Sequence, residues 1–193
     1  MKKIPTLFVR EFEGHSIKNI KPELTSESLR WVLDGEGDAT EKIDGACCAF
    51  IDGKFYKRYD AKKGKKPPVN AIPCDDPDPI TGHWPHWIPV DEKNPADKWF
   101  TEAKNYSEAN YVLTEGTYEA IGPHFQGNPY NLTFDMLVKH GRCVLHQLDG
   151  PRTFEGIRDF LNGNYMEGIV FWKDGEPKCK IKRSDFGFRW GNK

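Results

Sequence analysis

The residues best suited to chemistry lie in two segments that share one layout. Each segment starts with an acid followed by glycine, passes through an apolar stretch to an Asp-Gly pair, and returns on a stretch rich in lysine and arginine. The first starts at Asp44 and returns over 54–58, and the second starts at Glu167 and returns over 178–183. Because Asp-Gly between β-branched and aromatic residues is typical of tight turns, both segments are predicted to be β-hairpins.

The returning strands are predicted to present cationic faces. Alternate side chains of a strand lie on one face, so Lys180 and Lys182 would project together, as would Lys54, Tyr56 and Arg58. One cationic strand is commonly just the solvated edge of a sheet. Two such strands, each preceded by an acid and a glycine, favour a polyanion site instead. A Mg²⁺-bound triphosphate needs cations for its oxygens and a carboxylate near its metal.

Lys42 is the candidate nucleophile. A lysine attacks only as the neutral amine, and with an unperturbed pKa near 10.4 that form is about one part in a few thousand at pH 7. Nearby cations from Arg58, Lys180 and Lys182, together with a bound metal ion, would favour the neutral amine and neutralise a phosphate under attack. Asp44, two residues further along an extended backbone, would lie on the same side as Lys42.

The composition excludes several classes of protein. The 193 residues include 28 Lys and Arg against 29 Asp and Glu, a net charge of −1, so nucleic-acid binding through bulk positive charge is not indicated. Aromatic residues make up 13% of the chain, which is too many for an intrinsically disordered protein. The length predicts a single domain over 1–193 with its own core.

The sequence also predicts the cellular location of the protein. No run approaches the roughly 18 apolar residues of a membrane span, and no targeting segment is recognisable, so no membrane partner is expected. No obligate protein partner is inferred. The cysteines are odd in number and lack Cys-x-x-Cys spacing, which indicates neither a disulfide framework nor a four-thiolate zinc site. We therefore expect a reducing, cytoplasmic location.

The local signals predict a mixed α+β fold with antiparallel strands. Helices are expected from Pro95 to about 104, over 134–140 after a Thr133 cap, and after Thr153 through Leu161. The stretch of about 65–95 is dense in Pro, Asp, His and Trp and shows no strand or helix period, so it is expected to be an irregular insertion.

Lys42-Ile43-Asp44-Gly45 resembles the Lys-x-Asp-Gly hallmark of the covalent nucleotidyltransferases, which include ATP-dependent DNA ligases, RNA ligases and mRNA-capping guanylyltransferases. A four-residue motif is weak alone, but further segments follow in the family's order. These segments lie at 57–58, 118–122, 167–170 and 180–183. Longer strings at 78–84, 122–130 and 182–187 resemble the 5′-to-3′ RNA ligases found in vertebrates and, as relatives, in microbes and viruses.

The resemblance implies a fold, an activity and roles for individual residues. The fold would be an α+β nucleotidyltransferase (ATP-grasp-like ligase) domain of two antiparallel sheets with flanking helices. DNA ligases and capping enzymes continue into a C-terminal oligonucleotide-binding domain, and with ten residues after Arg183 none is expected here. Lys42 would attack the α-phosphate of ATP, AMP would pass to an RNA 5′-phosphate, and a 3′-hydroxyl would displace AMP. The nucleotide-binding residues would be Thr40, Glu41, Asp44, Arg58, Glu119, Glu167, Lys180 and Lys182. Among them, Glu119 would hydrogen-bond the ribose, and Thr40 and Glu41 would flank the adenine, mostly through their backbone. Mg²⁺ or Mn²⁺ would be held by Glu167 and Asp44.

RNA contacts are a further expectation. The run at 62–66 is equally well explained as a solvated loop, but its position beside the first hairpin makes RNA backbone contact plausible. The full candidate set is Lys57, Lys62, Lys63, Lys65, Lys66 and Arg183. Cys47 stands where many relatives carry Arg, so a substrate or phosphate contact is either missing here or supplied by Lys57.

Two other functions stay open from the sequence. One is a related transferase with another outcome, either a GTP-using capping type or an enzyme that adenylylates RNA without sealing it. The other is an inactive nucleotide- or RNA-binding module, which would bind ATP without releasing pyrophosphate.

Overall fold

A computed structural model of the protein describes residues 3–14, 16–79 and 81–191. The strands are β1 (Phe8–Glu13), β2 (Ser16–Leu24), β3 (Asp38–Glu41), β4 (Ala46–Ile51), β5 (Lys54–Ala61), β6 (Ile72–Pro73), β7 (Trp84–Pro89), β8 (Gly116–Ile121), β9 (Met136–Lys139), β10 (Gly168–Lys173) and β11 (Glu176–Lys182). The α-helices are α1 (Arg30–Leu33), α2 (Lys98–Asn110) and α3 (Phe154–Gly163). The α+β class with antiparallel strands is confirmed.

None of the helices in the described part of the chain has the length and apolar character needed to cross a bilayer.

The chain divides into two compact units. The first unit comprises Asp44–His140 together with Lys3, and the second comprises Ile4–Ile43 with the described part of Gly141–Lys193. The boundary between Ile43 and Asp44 falls inside the Lys-x-Asp-Gly motif. Each unit has its own sheets and its own buried apolar cluster.

The first unit is built on a six-stranded antiparallel sheet with the order β6-β7-β5-β4-β8-β9. The Asp52-Gly53 turn joins β4 to β5 as predicted, and both turn residues have positive φ, which matches the favoured two-residue hairpin turn. One face of the sheet buries Cys48 and Phe50 with Ala103 of α2. Alternate residues of β4 face the other way, where Cys47 packs in a smaller cluster.

Two expectations for this unit need correction. The helix predicted over 134–140 is wrong, because Met136–Lys139 forms edge strand β9, with Leu137 paired to Ala120 and buried in the core. Within the stretch expected to be irregular, Trp84–Pro89 forms β7 and pairs along β5. The segment is dense in proline and aromatic residues and shows no strand period, so the sequence did not predict a strand here. Pairing with β5, which lies far away in the sequence, stabilises the strand.

Helix α2 begins close to the predicted position. The side chain of Asn94 accepts a hydrogen bond from the backbone N–H of Ala96, a short 3₁₀ turn covers Pro95–Asp97, and the α-helix then continues to Asn110. The helix is longer than the predicted end near residue 104. Its C-terminal half is held by the fold, because Ser107 is buried and accepts the backbone N–H of Leu137.

The second unit holds the sheet β11-β10-β3 and the separate hairpin β1-β2. The predicted hairpin of β10 and β11 is confirmed, with both Asp174 and Gly175 at positive φ. Helix α3 also starts as predicted, since the Thr153 hydroxyl accepts the backbone N–H of Gly156. Ile157 and Leu161 of α3 are fully buried in the apolar cluster of this unit.

The number of sheets differs from the two expected. Within the described residues there are three, because the N-terminal segment forms the β1-β2 hairpin, which the sequence did not indicate. That hairpin has no Asn-Gly or Asp-Gly turn, and its strands carry many charged residues, so neither of the usual signals is present.

A buried arginine joins the loops of the second unit. Arg152 donates to the backbone carbonyls of Leu148 at 2.7 Å, Val32 at 3.1 Å, Glu36 at 2.9 Å and Gly37 at 3.1 Å. Carbonyls that lose such a donor inside a protein stay unpaired, which costs about 1–3 kcal/mol for each buried group.

We expect Arg152→Met to lower the free energy of unfolding by about 3 kcal/mol, measured by urea denaturation, because several carbonyls lose their donor together. Arg158→Met is the matched control. Arg158 is exposed on α3, where its guanidinium pairs with the neighbouring Asp159, so its loss should change stability by less than about 0.5 kcal/mol. Equal effects of the two substitutions would contradict the bridging role.

Candidate functional site

The end of β3 fixes the backbone of the candidate nucleophile. Lys42 directly follows β3, and its backbone N–H donates to the carbonyl of Gly168 at 2.8 Å. The β3 strand pairs antiparallel with β10, with Glu41 opposite Ile169. The main chain at Lys42 is therefore anchored to the start of β10 independently of the contacts that its side chain makes.

The side chain of Lys42 lies against a buried carboxylate. Its Nζ is 2.5 Å from Oε2 of Glu167, while Nζ of Lys182 is 2.6 Å from Oε1 of the same residue. Glu167 is only 6% exposed. One carboxylate thus holds two ammonium groups, one from each of the hairpin motifs that the sequence singled out.

Lys180 lies on the same strand and adds a third amine. The pKa of Lys180 is lowered from the ordinary 10.5 to about 8, mainly by burial and also by the positive charges of Lys42, Lys182 and Arg10, while Glu167 acts in the opposite direction. We call Lys42, Glu167, Lys180 and Lys182 the lysine cluster. Its three amines and one carboxylate suit an anionic ligand such as a phosphate.

Glycine is required in both acid-glycine pairs by close backbone approach. A Cβ on Gly168 would lie 2.2 Å from the carbonyl oxygen of Ile181, so a larger residue would push β10 and β11 apart. A Cβ on Gly45 would lie 2.2 Å from the carbonyl oxygen of Ala120 in the first unit. The close approach of β8 alone therefore requires glycine at this position.

The first unit holds the other half of the motif. The backbone N–H of Asp44 donates to Oη of Tyr130 at 2.8 Å. The backbone N–H of Gly45 donates to Oε1 of Glu119 at 3.2 Å, and Oε2 of Glu119 is 2.8 Å from Nε2 of His140. Glu119, predicted to bind the ribose, is therefore positioned by two contacts.

Tyr130 and His140 were not predicted as site residues. Tyr130 lies in the 122–130 string that resembles the RNA ligases, and that string was the available signal. His140 ends the segment predicted to be a helix. As a strand, β9 instead places His140 so that its backbone N–H donates to the carbonyl of Thr117, and its Nδ1 is 2.9 Å from the Thr117 hydroxyl.

Arg58 and Lys57 lie on opposite faces of β5. Arg58 donates from Nε to Asp60 at 2.9 Å, whereas Lys57 is bound to Asp97, which is buried where the chain enters α2. Cys47 pairs directly with Glu119 across β4 and β8, and burial raises the pKa of its thiol to about 12. Cys47 therefore stays a neutral thiol and cannot replace a cationic side chain.

Thr40 and Glu41, predicted beside the adenine, belong to the second unit. The Thr40 hydroxyl donates to the carbonyl of Val170 at 3.3 Å and accepts the indole N–H of Trp172 at 2.9 Å. Burial raises the pKa of Glu41. Next to them, Val144 forms an isolated bridge with Thr40 and is about a third exposed.

The candidate RNA contacts are in different settings. Four lysines after β5 are exposed, namely Lys62, Lys63, Lys65 and Lys66. Arg183 instead donates from Nη1 to the carbonyls of Leu161 and Asn164 at the end of α3. Part of its guanidinium is thus used in holding the second unit together.

The candidate metal ligands, Glu167 and Asp44, lie in different units. Within the described residues, no group of three or more His, Cys, Asp or Glu side chains has the arrangement of a metal site. Mg²⁺ is commonly bound through one or two carboxylates together with substrate phosphates, whereas both oxygens of Glu167 are engaged here by Lys42 and Lys182.

Comparison with known proteins relates the chain to the RNA ligase family over nearly its whole length. The similar proteins include RNA ligase 1 of Danio rerio, Pongo abelii and Rattus norvegicus, at 24%, 25% and 26% identity. Each comparison covers 98% of this chain and 82% of the relative. The aligned lengths of 269 to 273 exceed the 193 residues here, so the relatives have extra residues within the aligned region. No protein-family model matches the chain.

The lowered pKa of Lys180 predicts unusual reactivity. We expect trace acetylation of the Lys180 amine, followed by mass spectrometry of its peptide, to rise with a midpoint near pH 8. Glu167→Gln should move the midpoint lower, because the carboxylate charge favours the ammonium form. A free lysine peptide in the same tube is the internal standard. A midpoint equal to that of the standard would contradict the buried, cationic environment.

The same shift makes stability depend on pH. The folded protein holds the Lys180 proton less tightly than the unfolded chain does, so between about pH 8 and 10.5 the unfolded chain binds more protons and stability rises with pH. Lys180→Met removes the free-energy cost of keeping a charged ammonium group at this buried position. Its stability relative to wild type, measured by urea denaturation, should be greatest below pH 8 and decline as the pH rises to 10.5. A difference that does not change with pH would contradict the shift.

Proposed function

We propose that the protein is an ATP-dependent RNA ligase of the nucleotidyltransferase fold that forms a covalent lysyl-AMP intermediate on Lys42. The observation that carries the proposal is the contact of Lys42 and Lys182 with the two oxygens of the buried Glu167. The similarity to proteins named RNA ligase 1 supports RNA as the substrate.

In the first step the Lys42 amine attacks the α-phosphorus of ATP. A nitrogen–phosphorus bond forms, the bond to the bridging oxygen breaks, and pyrophosphate leaves with that electron pair. The ammonium form has no lone pair, so Lys42 must first lose a proton. Glu167 Oε2, 2.5 Å from Nζ, is placed to accept it. Lys180 and Lys182 would hold the phosphate oxygens while negative charge develops.

The remaining roles follow the family resemblance. Glu119 would hydrogen-bond the ribose, Arg58 would contact the ribose or a phosphate, and Thr40 and Glu41 would lie beside the adenine. Mg²⁺ or Mn²⁺, with Glu167 and Asp44 as the candidate ligands, would supply charge neutralisation for the phosphates. AMP would then pass to an RNA 5′-phosphate, and a 3′-hydroxyl would displace it to form the new phosphodiester bond.

Incubation with α-labelled ATP and Mg²⁺ should label the wild-type protein covalently, because Lys42 retains AMP as a phosphoramide. Lys42→Ala should abolish the label. Lys178→Ala is the matched control, since Lys178 is on the same strand as Lys182 but pairs with Glu176 at the hairpin turn. Its labelling should equal that of wild type. Labelling that persists in Lys42→Ala, or no labelling of wild type by any nucleoside triphosphate, would refute the proposal.

The choice of nucleotide and the outcome on RNA separate the alternatives. We expect label from ATP but not from GTP, and circularisation of a linear RNA that carries a 5′-phosphate and a 3′-hydroxyl, detected by gel electrophoresis. Preferential labelling by GTP would indicate a capping-type enzyme. Adenylylated RNA that accumulates without circles would indicate transfer without sealing. Reversible ATP binding without pyrophosphate release would indicate a binding module.

A further inference from the structure

Arg10 of β1 was not indicated by the sequence, yet ion pairs and one backbone hydrogen bond connect it to the lysine cluster. Its Nη2 is 2.7 Å from Oδ1 and 2.8 Å from Oδ2 of Asp185. The fully buried Asp185 side chain also accepts the backbone N–H of Lys182 at 2.8 Å. From Lys182 the contacts continue through Glu167 to Lys42.

Backbone pairing explains how an N-terminal residue reaches this position. The segment just before β1 pairs in parallel with β11: the Lys180 N–H donates to the carbonyl of Pro5 at 3.0 Å, and the Leu7 N–H donates to that of Lys180 at 2.8 Å. The register of β1 on β2 then shifts between Phe8 and Arg10. Such irregularities change the direction in which side chains project. Here Phe8 is in the apolar core, while Arg10 faces Asp185.

The ion pair with Asp185 uses only part of the guanidinium. Nε of Arg10 is buried and has no hydrogen-bond partner among the described residues. A buried N–H without a partner is costly, and native proteins rarely keep one without a reason. A guanidinium has five donors arranged in a planar fork, and that geometry matches the oxygens of a phosphate.

The charges around Arg10 favour an anion. Arg10 and the three amines of the lysine cluster face two carboxylates, Glu167 and Asp185, and Asp185 is already engaged by Arg10 itself. The lowered pKa of Lys180 has the positive charge of Arg10 among its causes, which agrees with this proximity. Added negative charge would relieve the repulsion among these cations.

We propose that Arg10 is a phosphate-binding residue, whose guanidinium donates hydrogen bonds to a phosphate group held beside Lys180 and Lys182. This inference deepens the proposed function and rests on it for the identity of the ligand. Two ligands of that function carry suitable phosphate chemistry: the pyrophosphate portion of the nucleotide and the 5′-phosphate of the RNA.

The test compares two variants of the full chain. Asp185→Asn keeps Arg10 and can still accept the Lys182 N–H, whereas the double variant Arg10→Gln with Asp185→Asn replaces the ion pair by a neutral polar pair. Binding of inorganic pyrophosphate, and of short RNAs with a 5′-phosphate or a 5′-hydroxyl, is measured by titration calorimetry. The double variant should bind the relevant phosphate about tenfold more weakly than Asp185→Asn does, because a charge-assisted hydrogen bond is lost.

Each result has a defined meaning. If the double variant binds pyrophosphate more weakly, the proposal is supported and the phosphate belongs to the nucleotide. If the double variant no longer distinguishes a 5′-phosphate from a 5′-hydroxyl RNA, the proposal is supported and the phosphate belongs to the RNA. Equal binding by both variants to every probe, or no binding of either phosphate by wild type, overturns it. If Asp185→Asn does not fold, Arg10→Lys is compared with wild type instead, since it keeps a charge for Asp185 but lacks Nε.

The inference and the proposed function can fail separately. Reversible binding to pyrophosphate needs no covalent chemistry, so it tests Arg10 even in Lys42→Ala. Absence of the AMP adduct together with an Arg10-dependent loss of phosphate binding would reject the ligase and keep the phosphate site. A normal AMP adduct together with phosphate binding that is unaffected by substitution of Arg10 would support the ligase and reject the phosphate-binding role of Arg10.

Discussion

The placement of the candidate nucleophile depends on one buried carboxylate. Glu167 is held between the ammonium groups of Lys42 and Lys182, and its position is fixed by the β10 and β11 backbones. Taking these charges out of water is expensive, and their mutual attraction offsets that cost only when the geometry is good. The contacts are therefore weak evidence of added stability. Their clear consequence is that Lys42, at the end of one strand, has a defined place relative to two lysines of another.

Backbone constraints make that arrangement specific. Gly168 permits β10 to approach β11 closely enough for the Glu167 contacts, because any side chain there would collide with the Ile181 carbonyl. The Lys42 N–H is bound to the Gly168 carbonyl on the same short stretch. Glu167 and Gly168 thus have separate roles. The acid acts electrostatically and the glycine sterically, so neither residue type could replace the other.

Local sequence accounted for the parts of the fold that local physics controls. The Asp-Gly turns at 52–53 and 174–175 formed hairpins because both residues adopt positive φ, and Thr153 capped α3 because its hydroxyl reaches a free helical N–H. The failures involve pairing with distant strands. The segment at β9 follows Thr133, a residue that could cap a helix, yet pairing with β8 and burial of Leu137 give a strand.

The sequence by itself determined which residue types are available for phosphate chemistry and their order along the chain. It singled out Lys42, Glu167, Lys180 and Lys182, because acid-glycine pairs and cationic strands are local patterns. Only the tertiary structure brought Lys42 against Glu167, which is 125 residues away. It also decided the place of Arg10, since that depends on parallel pairing with β11 and on a register shift that no local pattern encodes.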